Sequence, residues 1–266
     1  MQQALRSGCH LSYRVDGNSH GEALLFSNSL GTTHELWQPQ LEALSSAFRI
    51  IRYDTRGHGS SDAPAGPYTI DTLGLDAIAI LDAAGVERAH VCGLSLGGLT
   101  AMWLGIHAPH RIRSLVLSST AARIGSVSMW EERIAQVNAS GVASLADAAM
   151  GRWFTVDYRA AHPEIVSIYQ RMLSATPATG YTGCCAAIRD ADLRDEIRTV
   201  AAPALVIAGR EDPVTPPSDA EDIRARIPGA RAALLDAAHI TNVEQAEEFN
   251  DLISAFITQQ QRSVHG

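Results

Sequence analysis

The chain has 266 residues, 46% of them hydrophobic and 19% charged, enough for one sizeable α/β core with an insertion. A formal net charge of −8 disfavours nonspecific attachment to nucleic acid or to an anionic membrane surface. All its basic side chains besides histidine are arginines, and the lack of lysine excludes Schiff-base chemistry and a P-loop.

Met1 to Arg6 shows no apolar segment of a signal peptide, and no apolar run anywhere approaches the ~20 residues of a membrane span. Residues 11–15 alternate apolar and polar before the turn Asp16-Gly17-Asn18, which predicts an early edge strand. Residues 23–26 are continuously apolar, the pattern of a strand buried on both faces, and run into the polar loop Ser27-Asn28-Ser29-Leu30-Gly31-Thr32-Thr33. A helix is expected over 35–47, a strand over 48–53 and a tight loop over 54–61. Leu75, Ile78, Ala79 and Leu81 have helical spacing within 71–84, and Gly85 stops that helix. A short apolar strand then leads through Gly93-Leu94-Ser95-Leu96-Gly97 into a helical run over 99–107, with Pro109 as terminator and a strand at 112–117. From 119 to 197 there are only helix-like stretches, carrying Trp130, Trp153 and Tyr169. Strands resume at 204–208 and 232–235, around a helix at 218–226. The closing helix spans 242–258, with Thr241-Asn242-Val243-Glu244 in capping-box form.

Strands alternating with helices over short connections imply a mostly parallel central sheet flanked by helices. The organisation expected is a core of residues 1–118 and 198–266 and a helical cap of residues 119–197. Four cysteines (Cys9, Cys92, Cys184, Cys185) form no C-x-x-C pair and no metal-like spacing, and a bridge between adjacent Cys184 and Cys185 would be strained. Reduced thiols in a cytoplasmic protein, with neither metal nor cofactor, are the expectation.

The chemistry concentrates at Gly93-Leu94-Ser95-Leu96-Gly97. A serine on a tight strand-to-helix turn adopts a strained backbone, and its small neighbours let strand and helix close in. The following helix directs its free N–H groups at charge developing beside Ser95. Serine is a weak nucleophile that needs a base, and the base needs an orienting acceptor. Asp212, just past the strand at 204–208, and His239, just past the strand at 232–235, fit those roles. As alternative acids, Asp54 precedes the elbow and Asp236 sits too near His239 along the chain.

The elbow, the Asp54-Thr55-Arg56-Gly57-His58-Gly59 loop, the Gly209-Arg210-Glu211-Asp212-Pro213 segment and the late His239 together resemble the α/β-hydrolase superfamily, over essentially the whole core. Within it, the loop at 26–33, the run Gly180 to Asp192 and the segment Ala238 to Gln245 resemble the 3-oxoadipate enol-lactonases of the β-ketoadipate pathway. The resemblance implies an α/β-hydrolase fold with an inserted helical cap, a carboxylic ester hydrolase active in aromatic catabolism, and Ser95, Asp212 and His239 as catalytic residues. It also implies an oxyanion hole from the backbone N–H groups of Leu30 and Leu96, although Asn28-Ser29 replaces the common His-Gly pair. An enol-lactone carries a free carboxylate, so a local arginine is wanted, and Arg133, Arg152 and Arg189 in the cap are candidates. Trp130 and Trp153 are candidates to wall the pocket. A related hydrolase of another lactone, an ester or a C–C bond, and a small-molecule receptor on the same fold, remain as alternatives.

Other motifs read as structural. The Gly57-His58-Gly59 loop lacks the third glycine of a nucleotide site, and His58 is expected as a turn residue. His34-Glu35 is not an H-E-x-x-H site, and His107 and His110 are expected to cap carbonyls at a helix end.

Overall fold

A computed structural model describes residues 1–264. Eight strands form one sheet: β1 (Gln2–Arg6), β2 (Cys9–Gly17), β3 (Glu22–Ser27), β4 (Phe48–Tyr53), β5 (Ala89–Leu94), β6 (Ile112–Ser118), β7 (Ala204–Gly209) and β8 (Arg231–Leu235). Their spatial order is β1-β2-β4-β3-β5-β6-β7-β8. β1 and β2 pair antiparallel with each other, β2 pairs antiparallel with β4, and every other pairing is parallel. Strands β5 and β7 are buried at every position, as expected of apolar strands covered on both faces. Their one histidine, His90 of β5, is met by Ser114 Oγ at 2.8 Å and Glu22 at 3.1 Å.

The early strand at 11–15 lies inside the sheet rather than at its edge. β1 covers it, with Ala4 opposite Leu11. Only Ala4 in this pentapeptide is buried while Leu5 is 65% exposed, so β1 carries too little periodicity to be read from its sequence.

The helices of the core are α1 (Gln38–Leu44), α2 (Ile70–Ala83), α3 (Leu96–His107), and, later in the chain, α9 (Pro217–Arg226), α10 (Thr241–Glu244) and α11 (Ala246–Val264). α1 packs against α11, and Trp37 stacks on Phe26 of β3 at 4.4 Å and lies tilted against Phe249 of α11 at 6.3 Å. α2 packs against α3, which lies along β5 and β6. Between β6 and β7 the chain forms α4 (Val127–Ser140), α5 (Ala146–Trp153), α6 (Val156–Ala161), α7 (Pro163–Ser174) and α8 (Ala178–Asp190). Within this stretch α4 packs on α8 and α5 on α7.

The capping box at 241–244 does not form. Thr241 is already helical, and its hydroxyl is drawn to Ser118 Oγ at 2.8 Å and Ser119 Oγ at 3.3 Å. The Glu244 carboxylate consequently turns elsewhere, to Ala238 and Thr155.

No helix among the described residues is long and apolar enough to cross a membrane. All four cysteines are free and buried.

Candidate active site

β3 and β5 are neighbours, yet the chain leaves β3 toward β4 on one side and leaves β5 toward β6 on the other. The segments leaving their carboxyl ends therefore diverge, and a crevice opens where they part. Ser95 stands there, at φ 57° and ψ −113°, a backbone conformation costly for a residue with a Cβ. Four bonds hold it. Its N–H donates to the Ser118 carbonyl at 2.9 Å, and its own carbonyl accepts from Gly98 N–H (2.9 Å), Leu99 N–H (3.1 Å) and Thr120 Oγ1 (2.8 Å). The flanking glycines are required by space: a Cβ on Gly93 would overlap the Gly97 carbonyl, and one on Gly97 would overlap the Ser27 carbonyl. Leu96 opens α3, so its N–H has no carbonyl one turn earlier in the helix, and the positive end of the helix faces the serine.

His239 and Asp212 reach the same end of the sheet from the loops after β8 and β7. Their side chains are buried, and His239 Nδ1 meets Asp212 Oδ2 at 2.8 Å. Asp212 is fully engaged: Oδ1 accepts the N–H groups of Val214 (2.8 Å) and Thr215 (3.1 Å), and Oδ2 also accepts the Thr215 hydroxyl (2.8 Å). Burial alone would raise its pKa, but His239 and the two backbone donors outweigh burial and hold the carboxyl below its ordinary value. A permanent carboxylate on Nδ1 keeps the proton on that nitrogen and leaves Nε2 as an acceptor.

The loop after β3 is braced from three directions. Asn28 donates to the Tyr53 carbonyl at 2.6 Å and accepts Trp37 Nε1–H at 2.8 Å. The Ser29 carbonyl takes the Thr32 N–H at 3.2 Å and its hydroxyl at 2.8 Å. Gly31 N–H donates to His58 Nε2 at 3.0 Å. Leu30 lies between the last two anchors, so its peptide has little freedom to turn. Asn28 thus substitutes a side-chain brace where the common motif carries histidine. His58 is the residue that sequence reasoning undervalued. Burial drives its imidazole down to about pKa 4, which makes it a neutral acceptor at ordinary pH.

Ser29, Leu30, Ser95 and His239 open onto one cavity of about 140 Å³, room for on the order of ten water-sized atoms. The helices between β6 and β7 contribute Trp130, Arg133, Arg152, Trp153 and Tyr181 to its lining, among others. The Arg133 guanidinium lies 5.9 Å from the Trp130 ring centroid and donates to Tyr181 Oη at 3.3 Å. Neither Arg133 nor Arg152 forms an ion pair with a carboxylate among the described residues. Burial, and then the charge of Arg133, lower the pKa of Arg152. Two cations without a carboxylate partner on one small cavity create a local preference for an anion, despite the net negative charge of the chain.

Trp130 and Trp153, the wall candidates, both line this cavity. Arg189 does not. Its guanidinium forks onto the neighbouring Asp190 at 2.7 and 2.9 Å and lines a separate surface depression with Asn138 and Thr182. At the end of α8 the side chain leaves the helix on the side away from the cavity, and helical phase decides that. The alternative acids are also elsewhere: Asp54 is occupied by the His34 ring and by the N–H groups of His34 and Ser60, and Asp236 pairs with Arg210. His107 packs its ring on Trp103 and meets Glu196 at 3.5 Å, and among the described residues it makes no hydrogen bond to a carbonyl.

The family model for the alpha/beta hydrolase fold matches residues 22–246. Two relatives from Acinetobacter baylyi are similar over most of their length. 3-Oxoadipate enol-lactonase 2 is 42% identical over 92% of this chain and 92% of its own, and 3-oxoadipate enol-lactonase 1 is 40% identical over 95% and 94%. The crystal structure of the enol-lactonase from Burkholderia xenovorans superposes with a TM-score of 0.95 at 42% identity, covering 97% of this chain and all of that one.

Proposed function

The chain belongs to the α/β-hydrolase family, and from that premise we propose that it opens 3-oxoadipate enol-lactone to 3-oxoadipate by serine catalysis. The observation that carries this reading is the pair of arginines without a carboxylate partner among the described residues, Arg133 and Arg152, on the wall of the cavity onto which Ser95 and His239 open. Such a cavity suits a small ester that carries its own carboxylate, and the enol-lactone is one. The similarity to enol-lactonases over nearly the whole chain supports the same choice.

In this mechanism the substrate carboxylate docks on Arg133 and Arg152, and Trp130 and Trp153 confine the ring. Ser95 Oγ attacks the lactone carbonyl while His239 Nε2 takes the hydroxyl proton. Asp212 holds the imidazole and stabilises its cationic form. The carbonyl oxygen becomes an oxyanion that accepts from the N–H groups of Leu30 and Leu96. Collapse breaks the ring C–O bond, and the enol oxygen leaves while remaining tethered to the acyl chain. His239 returns its proton to that oxygen, and the enol tautomerises to the ketone. A water, deprotonated by His239, then attacks the acyl-enzyme, the ester bond to Ser95 breaks, and the serine recovers its proton. The product is a dicarboxylate.

Residues 119–197 serve as the cap that closes the cavity over the core. Four free thiols fit a reducing compartment, and the cytoplasm is the site proposed for the reaction.

The test is the loss of enol absorbance when the purified protein meets freshly generated 3-oxoadipate enol-lactone, run beside p-nitrophenyl acetate. Fast lactone opening with weak acetate hydrolysis is expected. Acetate hydrolysis without lactone turnover would retain the serine mechanism and discard this substrate.

A further inference from the structure

His239 sits on a short loop, and both of its neighbours are fastened to one segment of the opposite cavity wall. On one side, Ala238 N–H donates to Glu244 Oε2 at 3.0 Å. The same carboxylate accepts Thr155 N–H at 3.3 Å on each oxygen, and the Thr155 hydroxyl donates to Oε1. On the other side, Ile240 N–H donates directly to the Trp153 carbonyl at 3.0 Å. Residues 153–155 join α5 to α6, and Trp153 forms part of the cavity wall. Glu244 itself is not among the cavity-lining residues.

We infer that Glu244 is a positioning residue that keeps the His239 loop in register with the cavity wall at Trp153, through the bridge Ala238–Glu244–Thr155. The inference rests on the reading of Ser95 and His239 as nucleophile and base. Glu244 suits the task because a carboxylate presents two acceptor oxygens and no donor, and three donors converge on it. Glutamine has one such oxygen, and its NH₂ group would face Ala238 N–H or Thr155. The bridge makes base and wall one mechanical unit, so a shift of the wall displaces the imidazole relative to Ser95. A misplacement of about 1 Å at a reacting group can reduce rate on the order of 10²-fold.

The test compares wild type, Glu244→Gln, Thr155→Val and the double variant by three readouts: hydrogen exchange over residues 150–156 and 236–243, the rate of Ser95 labelling by a fluorophosphonate, and kcat and KM on p-nitrophenyl acetate. Glu244→Gln is expected to speed exchange in both segments together. It is also expected to slow Ser95 labelling and lower kcat about tenfold, with the cooperative unfolding transition retained. Thr155→Val also removes the hydroxyl that caps α6 by accepting Tyr158 N–H at 3.2 Å. Ser95 labelling and exchange over 236–243 are therefore its readouts, and both should move in the same direction but less. The double variant should label no more slowly than Glu244→Gln alone, since both cut one bridge. A Glu244→Gln protein that only melts earlier, with wild-type labelling and kcat, overturns the inference. Exchange that rises in one segment alone does the same. Where Glu244→Gln fails to fold, Thr155→Val decides: unchanged labelling and unchanged exchange over 236–243 overturn the inference. A wild type that is labelled at Ser95 and cleaves the acetate but leaves the enol-lactone intact removes the substrate assignment only.

Discussion

The backbone N–H of Gly31 donates to Nε2 of His58 at 3.0 Å, so a buried ring 27 residues away holds the loop that carries Leu30. The bond exists only while the imidazole is neutral, because a protonated Nε2 has no lone pair to offer. Burial ensures neutrality by depressing the pKa to about 4, whereas an unfolded histidine titrates near 6.5. Between those values the unfolded chain binds the proton more tightly. Stability should therefore fall as pH drops below about 6.5, and the loss should be complete below about pH 4, reaching on the order of 3 kcal/mol from this group. His58→Phe keeps the ring but strands the Gly31 N–H. It should cost about 1–3 kcal/mol at pH 7 and flatten the acid limb. Denaturant titrations of both proteins at several pH values between 4 and 7 check this, and parallel acid limbs would remove His58 from the account.

Ser95→Ala should abolish turnover and leave the fold intact. Near-wild-type rates in that variant would end the assignment of Ser95 as nucleophile. Ser95→Gly offers a second measurement, because glycine accepts φ 57° without penalty. Relief of the strained backbone outweighs the added freedom of the unfolded chain, so Ser95→Gly should melt no lower than wild type, with a gain of about 1 kcal/mol. A clear loss of stability would show that the elbow is not strained.

Asp212→Asn preserves shape but places an amide against His239 Nδ1, which favours the wrong imidazole tautomer. A fall in kcat of about 10³–10⁴ is expected, with little change in KM. A loss of less than tenfold would mean that another group orients the base.

Arg133→Gln and Arg152→Gln should each raise KM for the anionic lactone about 10- to 100-fold, the value of a lost charge-assisted hydrogen bond of about 1.5–3 kcal/mol. KM for p-nitrophenyl acetate should barely move. Equal effects on both substrates would take that arginine out of carboxylate binding. Arg189→Gln should leave both constants unchanged, since its partner is Asp190.

The elements fastest to read were those whose cause is local. Unbroken apolar runs at 23–26 and 204–208 demand strands buried on both faces. The glycines around Ser95 are demanded by the closeness of backbone to backbone, and the order Ser95, Asp212, His239 follows from placing each just past a strand. Each of these features rests on a local pattern, so the sequence by itself determined most of the α/β sheet and the glycine-flanked turn at Ser95, and placed Ser95, Asp212 and His239 each just past a strand.

Tertiary structure decided what depends on distance and direction. Arg133, Arg152 and Arg189 look alike as letters on helices, and only helix phase and packing turn the first two inward and leave Arg189 on Asp190. Thr241 and Glu244 have the spacing of a capping box, but Ser118 and Thr155 are close enough in space to claim them. His58 has the appearance of a turn residue until burial removes water and makes it a neutral acceptor for Gly31. A hydrogen-bonding side chain takes whichever partner the fold brings nearest, and the sequence specifies which groups compete without specifying which of them will be adjacent.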